Sequence, residues 1–302
     1  MGERASIMLR SPSLGETGER AWVRWGRAIS RFVRLHRLAA VGAFLVITFL
    51  VLGALAPWVA PKDPNAISPE HGLELPSRAF LLGTDYLGRD LLSRIIFGAR
   101  ISLVVSFSAV GLAAVAGVSL GTVAGWYRWL EPPLMRLVDV LLCFPGIIVA
   151  LAIISILGSG IGNVVVAVAI GQLPEFARLA HGLTLSVKEN AYVEAAICLG
   201  VSDLQILRCH ILPNIVAPII VQVSLLIPSA ILTTAALSFL GLGVAPPTPE
   251  WGAMLQDSMK WARIAPHVMI FPGLALMLVV FGYNTFGDGL RSALDPRLRR
   301  RR

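Results

Sequence analysis

The stretch EAAICLGVSDLQILRCHILPN, Glu194 to Asn214, is a polar island between two apolar runs, Val164 to Ala180 and Ile215 to Leu242. It carries Glu194, Asp203, Arg208 and His210 in a chain that is 56% hydrophobic. Locally it reads as two short helices. The first covers about Val187 to Leu199 and ends at Gly200, where a left-handed residue belongs. Ser202 followed by Gln205 makes a capping box that opens the second. Pro213 and Asn214 then interrupt the pattern before the next run starts. Ala195 and Ala196 beside Glu194 leave a low-relief surface next to one charge. Such a surface fits a solvated connector and a docking surface equally well.

Working outward, the flanking runs are membrane spans. Only 15% of the 302 residues are charged, against roughly 25% in soluble domains, and mean hydropathy is +0.74. Crossing a hydrocarbon core takes about 20 helical residues. Six runs qualify: Leu38 to Trp58, Ile101 to Trp126, Leu137 to Leu157, Val164 to Ala180, Ile215 to Leu242, and Val268 to Phe286. The fourth is short and includes Pro174 and Glu175. Ala54-Leu55-Ala56 looks like a signal cleavage site, but the run before it exceeds the 7 to 15 residues typical of a signal sequence, so it reads as a retained span.

Charge sets the expected orientation. Eight arginines lie in residues 1–37 and six in 291–302, and cytoplasmic flanks collect Lys and Arg. Both termini are therefore expected in the cytoplasm, with membrane lipid rather than nucleic acid facing the basic tails. The outer loops are charge-balanced, with five basic and five acidic residues in 61–100 and two of each in 243–267.

Chemistry is sparse. Lys62, Lys188 and Lys260 lack the G-x-x-x-x-G-K context of a phosphate-binding loop, and no H-E-x-x-H occurs. Gly158-Ser159-Gly160-Ile161-Gly162 reads as a tight outer turn. Cys143, Cys198 and Cys209 form no disulfide framework. Asp139, Glu175, Arg178 and Asp288 fall within about two turns of expected cytoplasmic ends, and Glu175 and Arg178 are spaced to meet on one helix face. Charge-free central spans argue against an ion-coupled transporter.

Two further segments are patterned. In LGTDYLGRDLLSRIIFGARISL, Leu82 to Leu103, the residues Leu87, Leu91, Leu92, Ile95 and Ile96 share a helix face, with Arg89, Asp90 and Arg94 off it. The pattern suits a helix lying on the outer membrane surface. In LSFLGLGVAPPTPEWGAML, Leu237 to Leu255, Thr248 caps a helix that begins at Pro249. Trp251 and Trp261 suit a membrane interface.

The order Glu194-Ala195-Ala196, Gly200, Leu212-Pro213 resembles the EAA loop of ABC-importer permeases, E-A-A-x-x-x-G with I-x-L-P ten residues on. His210 stands where that pattern has isoleucine. The segments G-T-D-x-x-G-R-D, P-P-T-P-E-W-G and G-D-G-L-R-x-A-L-D-P resemble those of the second permease subunit of dipeptide, oligopeptide, glutathione and nickel importers, with Ser292 replacing the usual acid in the last.

The resemblance implies an all-α polytopic membrane protein of six transmembrane helices, ABC type I importer permease-like, in a bacterial or archaeal plasma (inner) membrane. It divides the chain into a basic tail (1–37) and a permease domain (38–302), the latter with an outer segment (61–100), a coupling loop (183–214) and a basic ending (289–302). It implies ATPase coupling through Glu194, Ala195, Ala196, Gly200, Leu212 and Pro213, and binding-protein contact through Pro247, Thr248, Glu250 and Trp251. The expected partners are a second permease in a heterodimer, two cytoplasmic ABC ATPases that hold the ATP and magnesium, and an extracytoplasmic substrate-binding protein. This chain is expected to have no cofactor, metal or catalytic site. Short peptides, glutathione included, are the expected cargo. A nickel chelate and a self-sufficient ion-coupled transporter are the alternatives.

Overall fold

The computed structural model describes residues 37–294. Most of the basic N-terminal tail and the last eight residues of the basic ending lie outside them. The described elements are helical, with a lone β-bridge between Thr84 and Asp90. In chain order they are α1 (Arg37–Ala54), α2 (Ala56–Val59), α3 (Leu91–Trp126), α4 (Glu131–Leu142), α5 (Gly146–Leu157), α6 (Ile161–Lys188), α7 (Ala191–Cys198), α8 (Asp203–Phe239), α9 (Trp251–Ser258) and α10 (His267–Leu294). Helices α1, α3, α6, α8 and α10 are long and apolar enough to cross a membrane, and the bent pair α4–α5 makes a sixth span if it counts as one.

The bundle is centred on α3 and α6, which run parallel. Gly117, Gly121 and Gly125 repeat every four residues on α3, and lipid solvent gives helices little reason to associate beyond close packing. Here the packing is backbone to backbone. A Cβ at Gly117 would come within 2.6 Å of the Leu173 carbonyl oxygen, one at Gly125 within 2.9 Å of Thr184 Cβ, and one at Gly121 would overlap the Ala177 carbonyl. Around this seam Val105, Ala109, Ala113, Val168, Phe176 and Ile231 form the buried core. Helix α10 packs on α8 and, antiparallel, on α1.

Four expectations change. The third span is not one helix: α4 and α5 meet at 94°. Pro145 stands as N-cap of α5 with ψ 133°; it has no N–H to continue a helix and restricts the residue before it. At 12 residues, α5 is about 18 Å long, well short of a full crossing.

The second span starts ten residues early. Asp90 caps α3, accepting from the Ser93 N–H at 2.8 Å, so residues 82–90 form a loop and no surface helix. Arg89, Asp90 and Arg94 are buried because each has a partner outside the trio, Asp90 accepting from Ser93 and both arginines facing Asp85. Arg89 Nε donates to Asp85 Oδ2 at 2.6 Å, and Arg94 donates to the Pro64 carbonyl at 3.1 Å. Burial of charge is tolerated only with such pairing.

The fourth run extends to Lys188 as a single helix through Pro174. Glu175 therefore lies at the middle of α6, thirteen residues from Lys188, or roughly 20 Å, instead of near its end. It does not pair with Arg178. Arg178 donates to Asp139 on α4 at 2.5 Å, while Gln222 on α8 donates to Glu175 at 3.2 Å.

The fifth span likewise begins early, at Asp203. Pro213 does not break it because a wide π-turn, Leu207–Ile211, precedes the proline, as happens where a helix must absorb a missing donor. The Asn214 side chain donates to the His210 carbonyl at 2.6 Å.

Candidate functional site

The polar island forms the end of the bundle where α3 and α6 finish. Lys188 closes α6 by donating to the Trp126 carbonyl at 2.8 Å, with its ammonium 5.0 Å from the Trp126 ring. After a two-residue turn, α7 runs across the bundle end and stops at Gly200, whose φ of +74° is left-handed. The Gly200 N–H donates to the Ile197 carbonyl at 3.0 Å and the Val201 N–H to the Ala196 carbonyl at 3.1 Å, the paired bonds of a Schellman stop. Val193 and Ala196 turn inward onto Ile206, Leu207, Ile211 and Ile215 of α8 and Trp126 of α3. Thus α7 and the start of α8 share a small core of their own.

The expected coupling residues divide between the two faces of this unit. Glu194, Ala195, Gly200 and Pro213 are exposed, Leu212 is partly buried, and Ala196 is buried. Around the exposed group project Leu199, 83% exposed, with Leu204, Ile197 and Tyr192. An apolar projecting edge beside one carboxylate has the composition of an interface. Ser202 occupies the expected N-cap position but makes no side-chain cap bond. Burial of Ile206 and Leu207 anchors the start of α8 in place of the expected capping box.

At the opposite end, α9 is wedged between α3 and α8. Its cap is Glu250, two residues after Thr248, with the side chain accepting from the Ala253 N–H at 3.0 Å and from Ser102 Oγ at 3.2 Å. Trp251 donates from Nε1 to the Ile95 carbonyl at 3.1 Å and meets Phe49 edge to face. Both Glu250 and Trp251 have 0% exposure. They hold α9 in place and offer no surface to another protein; of the four expected contact residues, Pro247 is exposed and Thr248 half-buried. Thr248 lines an open groove of about 630 Å³ together with Pro57, Lys62, Asp63 and Phe97. The neighbouring loop is tied to α9 by Arg89 to Asp257 at 3.7 Å, and Tyr86 stacks on Trp261 in the turn that follows α9.

Burial pushes the Glu250 carboxyl up, and hydrogen bonds from Ser102 and Ala253 oppose this only in part. A raised folded pKa makes the contribution to stability full below the ordinary glutamate range and lost as pH rises through the folded value. Glu250→Gln keeps an acceptor for Ala253 and removes the charge. It should therefore match or exceed the parent in melting temperature at pH 8, and the gap should close on acidification at up to about 1.4 kcal/mol per pH unit. Melting curves from pH 5 to 8 test this, and a gap independent of pH would contradict it.

The glycine seam was readable as G-x-x-x-G spacing in Gly117 to Gly125, although sequence reasoning passed over it. Gln172, Gln222, Ser229 and Thr233 were also missed, because isolated polar residues scarcely disturb an apolar average. Among the described residues no group of three or more His, Cys, Asp or Glu could hold a metal, and Cys143, Cys198 and Cys209 are free.

Comparison with known proteins agrees with the fold and the order of its segments. Residues 113–300 match the model of the binding-protein-dependent transport system inner membrane component, and residues 24–76 match the N-terminal TM domain of oligopeptide transport permease C. The glutathione transport system permease protein GsiD of Pectobacterium atrosepticum is 47% identical over 277 residues, 91% of this chain and 92% of that one. The dipeptide transport system permease protein DppC of Alkalihalophilus pseudofirmus is 42% identical over 276 residues, 91% of this chain and 90% of that one. An inward-facing structure of the MetNI methionine ABC transporter superposes with a TM-score of 0.55 at 18% identity, covering 68% of this chain and 98% of that one, which shows the shared fold. The chain belongs to the family of binding-protein-dependent transport system inner membrane components, the multi-pass permease subunits of ABC importers.

Proposed function

We propose that this chain is one of two permease subunits of an ATP-driven importer of short peptides, glutathione included. The observation that carries the cargo class is the 42 to 47% identity, over nine-tenths of both chains, to permeases named for glutathione and for dipeptides. Both cargoes are small, flexible and charged at their ends, so they need a water-lined route that a single bundle of this size does not enclose. The exposed apolar residues of α4, α5 and the link between them, among them Leu137, Val140, Phe144 and Ile148, are the face we assign to a second, similar permease.

The remaining roles follow from the two ends. In this reading the end with α7 is cytoplasmic, as is the arginine-rich tail. Glu194, Ala195 and Gly200, with Leu199 and Leu204 around them, enter a groove of a cytoplasmic ABC ATPase, while Ala196, Leu212 and Pro213 join that unit to the membrane helices. Because α8 runs unbroken from Asp203 to Phe239, displacement of the docked end is transmitted along a rigid rod. ATP and magnesium belong to two such ATPases, since no lysine here has a phosphate-binding loop. Pro247 and Thr248 face the extracytoplasmic binding protein. ATPase closure would move α7 and the start of α8 together and switch the access of the central path, with no covalent chemistry in this chain.

Affinity purification from the native membrane in mild detergent tests the assembly. Recovery of a second permease and P-loop ATPases is expected. A chain that purifies alone would contradict it.

A further inference from the structure

A lipid-facing helix surface is apolar, and ionisable groups at membrane depth face protein or water and mark a task. One surface of this bundle departs from that rule. Glu175 stands at the middle of α6 with its side chain exposed, and Gln172 lies one turn before it. Across from them Gln222, Ser229 and Thr233 recur at seven and then four residues along one face of α8. Between these faces, and walled by the break between α4 and α5, lies a recess of about 280 Å³ that Gln172, Glu175, Ser229 and Thr233 line.

The hydrogen-bond inventory of the recess is incomplete. Gln172 is 6% exposed; its Nε2 donates to the Leu226 carbonyl at 3.3 Å, and its Oε1 has no partner. Glu175 accepts from the neutral Gln222 amide alone. The nearby cation, Arg178, is already paired with Asp139. Among the described residues Glu175 therefore has no cationic partner, in a place where an unpaired carboxylate is costly. A group that fills the recess, brings a positive charge to Glu175 and donates hydrogen bonds would meet every unmet need. A protonated amino terminus followed by an amide N–H has that form. An inorganic cation shares the charge, but not the donor geometry.

We propose that this recess is a cargo site in the chain's share of the translocation path, with Glu175 binding the ammonium of the passing peptide and Gln172, Ser229 and Thr233 hydrogen-bonding its first amides. The proposal rests on the peptide-importer reading and adds the residues that touch the cargo. Pairing to one carboxylate that is still partly solvated is weak enough to release the peptide, as a transport intermediate requires.

The test uses the complete importer with Cys143, Cys198 and Cys209 replaced by serine and, as reporter, Leu142→Cys, an exposed apolar position that lines the recess and takes no part in the proposed cargo contacts. Reaction of that thiol with a small maleimide is timed with and without nucleotide, in the presence of millimolar dialanine, N-acetyl-dialanine or sodium chloride. Dialanine should slow labelling at least threefold, while the acetylated peptide and sodium chloride should not. Glu175→Gln should abolish the protection and Glu175→Asp should retain part of it. Equal protection by the two peptides would overturn the proposal, as would protection by sodium chloride alone, no labelling in any nucleotide state, or protection unchanged in Glu175→Gln. ATP-driven peptide uptake by the same preparation separates the two levels. Uptake without selective protection removes the cargo site and leaves the importer, whereas absence of uptake with ATPases bound removes both.

Discussion

Gly121→Ala should lower the stability of the purified chain by about 2 kcal/mol or more, whereas Gly111→Ala on the same helix should be neutral or raise it by up to about 1 kcal/mol. The contrast isolates one methyl group. At Gly111 an added Cβ meets nothing within 4 Å, and at Gly121 it would overlap the Ala177 carbonyl of α6. Alanine is the better helix former at both sites by about 1 kcal/mol, so the sign at Gly121 is decided by packing. A backbone carbonyl cannot rotate away as a side chain can, and two long helices in register must separate together. Overpacking of this kind typically costs about 1 to 3 kcal/mol, occasionally more. Thermal unfolding in detergent reads both variants, and equal melting temperatures would show that the α3–α6 seam is looser than described.

Gly200→Pro should reduce uptake and cargo-stimulated ATP hydrolysis at least tenfold while the chain still inserts into the membrane. The φ of +74° at Gly200 is closed to proline, which is fixed near −65°, and proline also removes the N–H that donates to Ile197. Space is not the problem, since nothing lies within 4 Å of an added Cβ; Gly200→Asn, which tolerates left-handed backbone, should retain most activity. Glu194→Lys tests the surface of the same unit. Reversing a charge in the first turn of an exposed helix costs about 0.3 to 1 kcal/mol of stability, so a tenfold or greater loss of coupled hydrolysis would come from the interface. Full transport in both Gly200→Pro and Glu194→Lys would remove the coupling role.

Much of this architecture could be read before any coordinates. Long apolar runs located every crossing region, and Gly200 was identifiable as a stop because its place after Leu199 admits few alternatives. What stayed hidden shares a physical cause, namely that sequence patterns treat a charge as exposed. Arg89, Asp90 and Arg94 looked like the wet side of a surface helix, yet they are buried through pairing with Asp85, Ser93 and the Pro64 carbonyl, which periodicity does not register. Glu250 looked like a first-turn acid after a Thr248 cap, and is instead the cap itself because Ser102, 148 residues away, meets its second oxygen. Pro145 was legible as a proline able to kink the third span, but the 94° break there was not, because apolar residues continue on both sides of it. Glu175 was placed near a helix end because the apolar run around it stops eight residues before the helix does, and that error concealed a carboxylate standing at mid-helix beside a recess.

The central claim, that this permease converts ATPase closure into inward movement of peptide, is tested most directly by uptake into proteoliposomes holding the complete importer, its binding protein and a labelled dipeptide or glutathione. Accumulation that requires ATP, stops with vanadate and is lost in Gly200→Pro is the expected result. Accumulation without the ATPases, driven by an ion gradient alone, would contradict it.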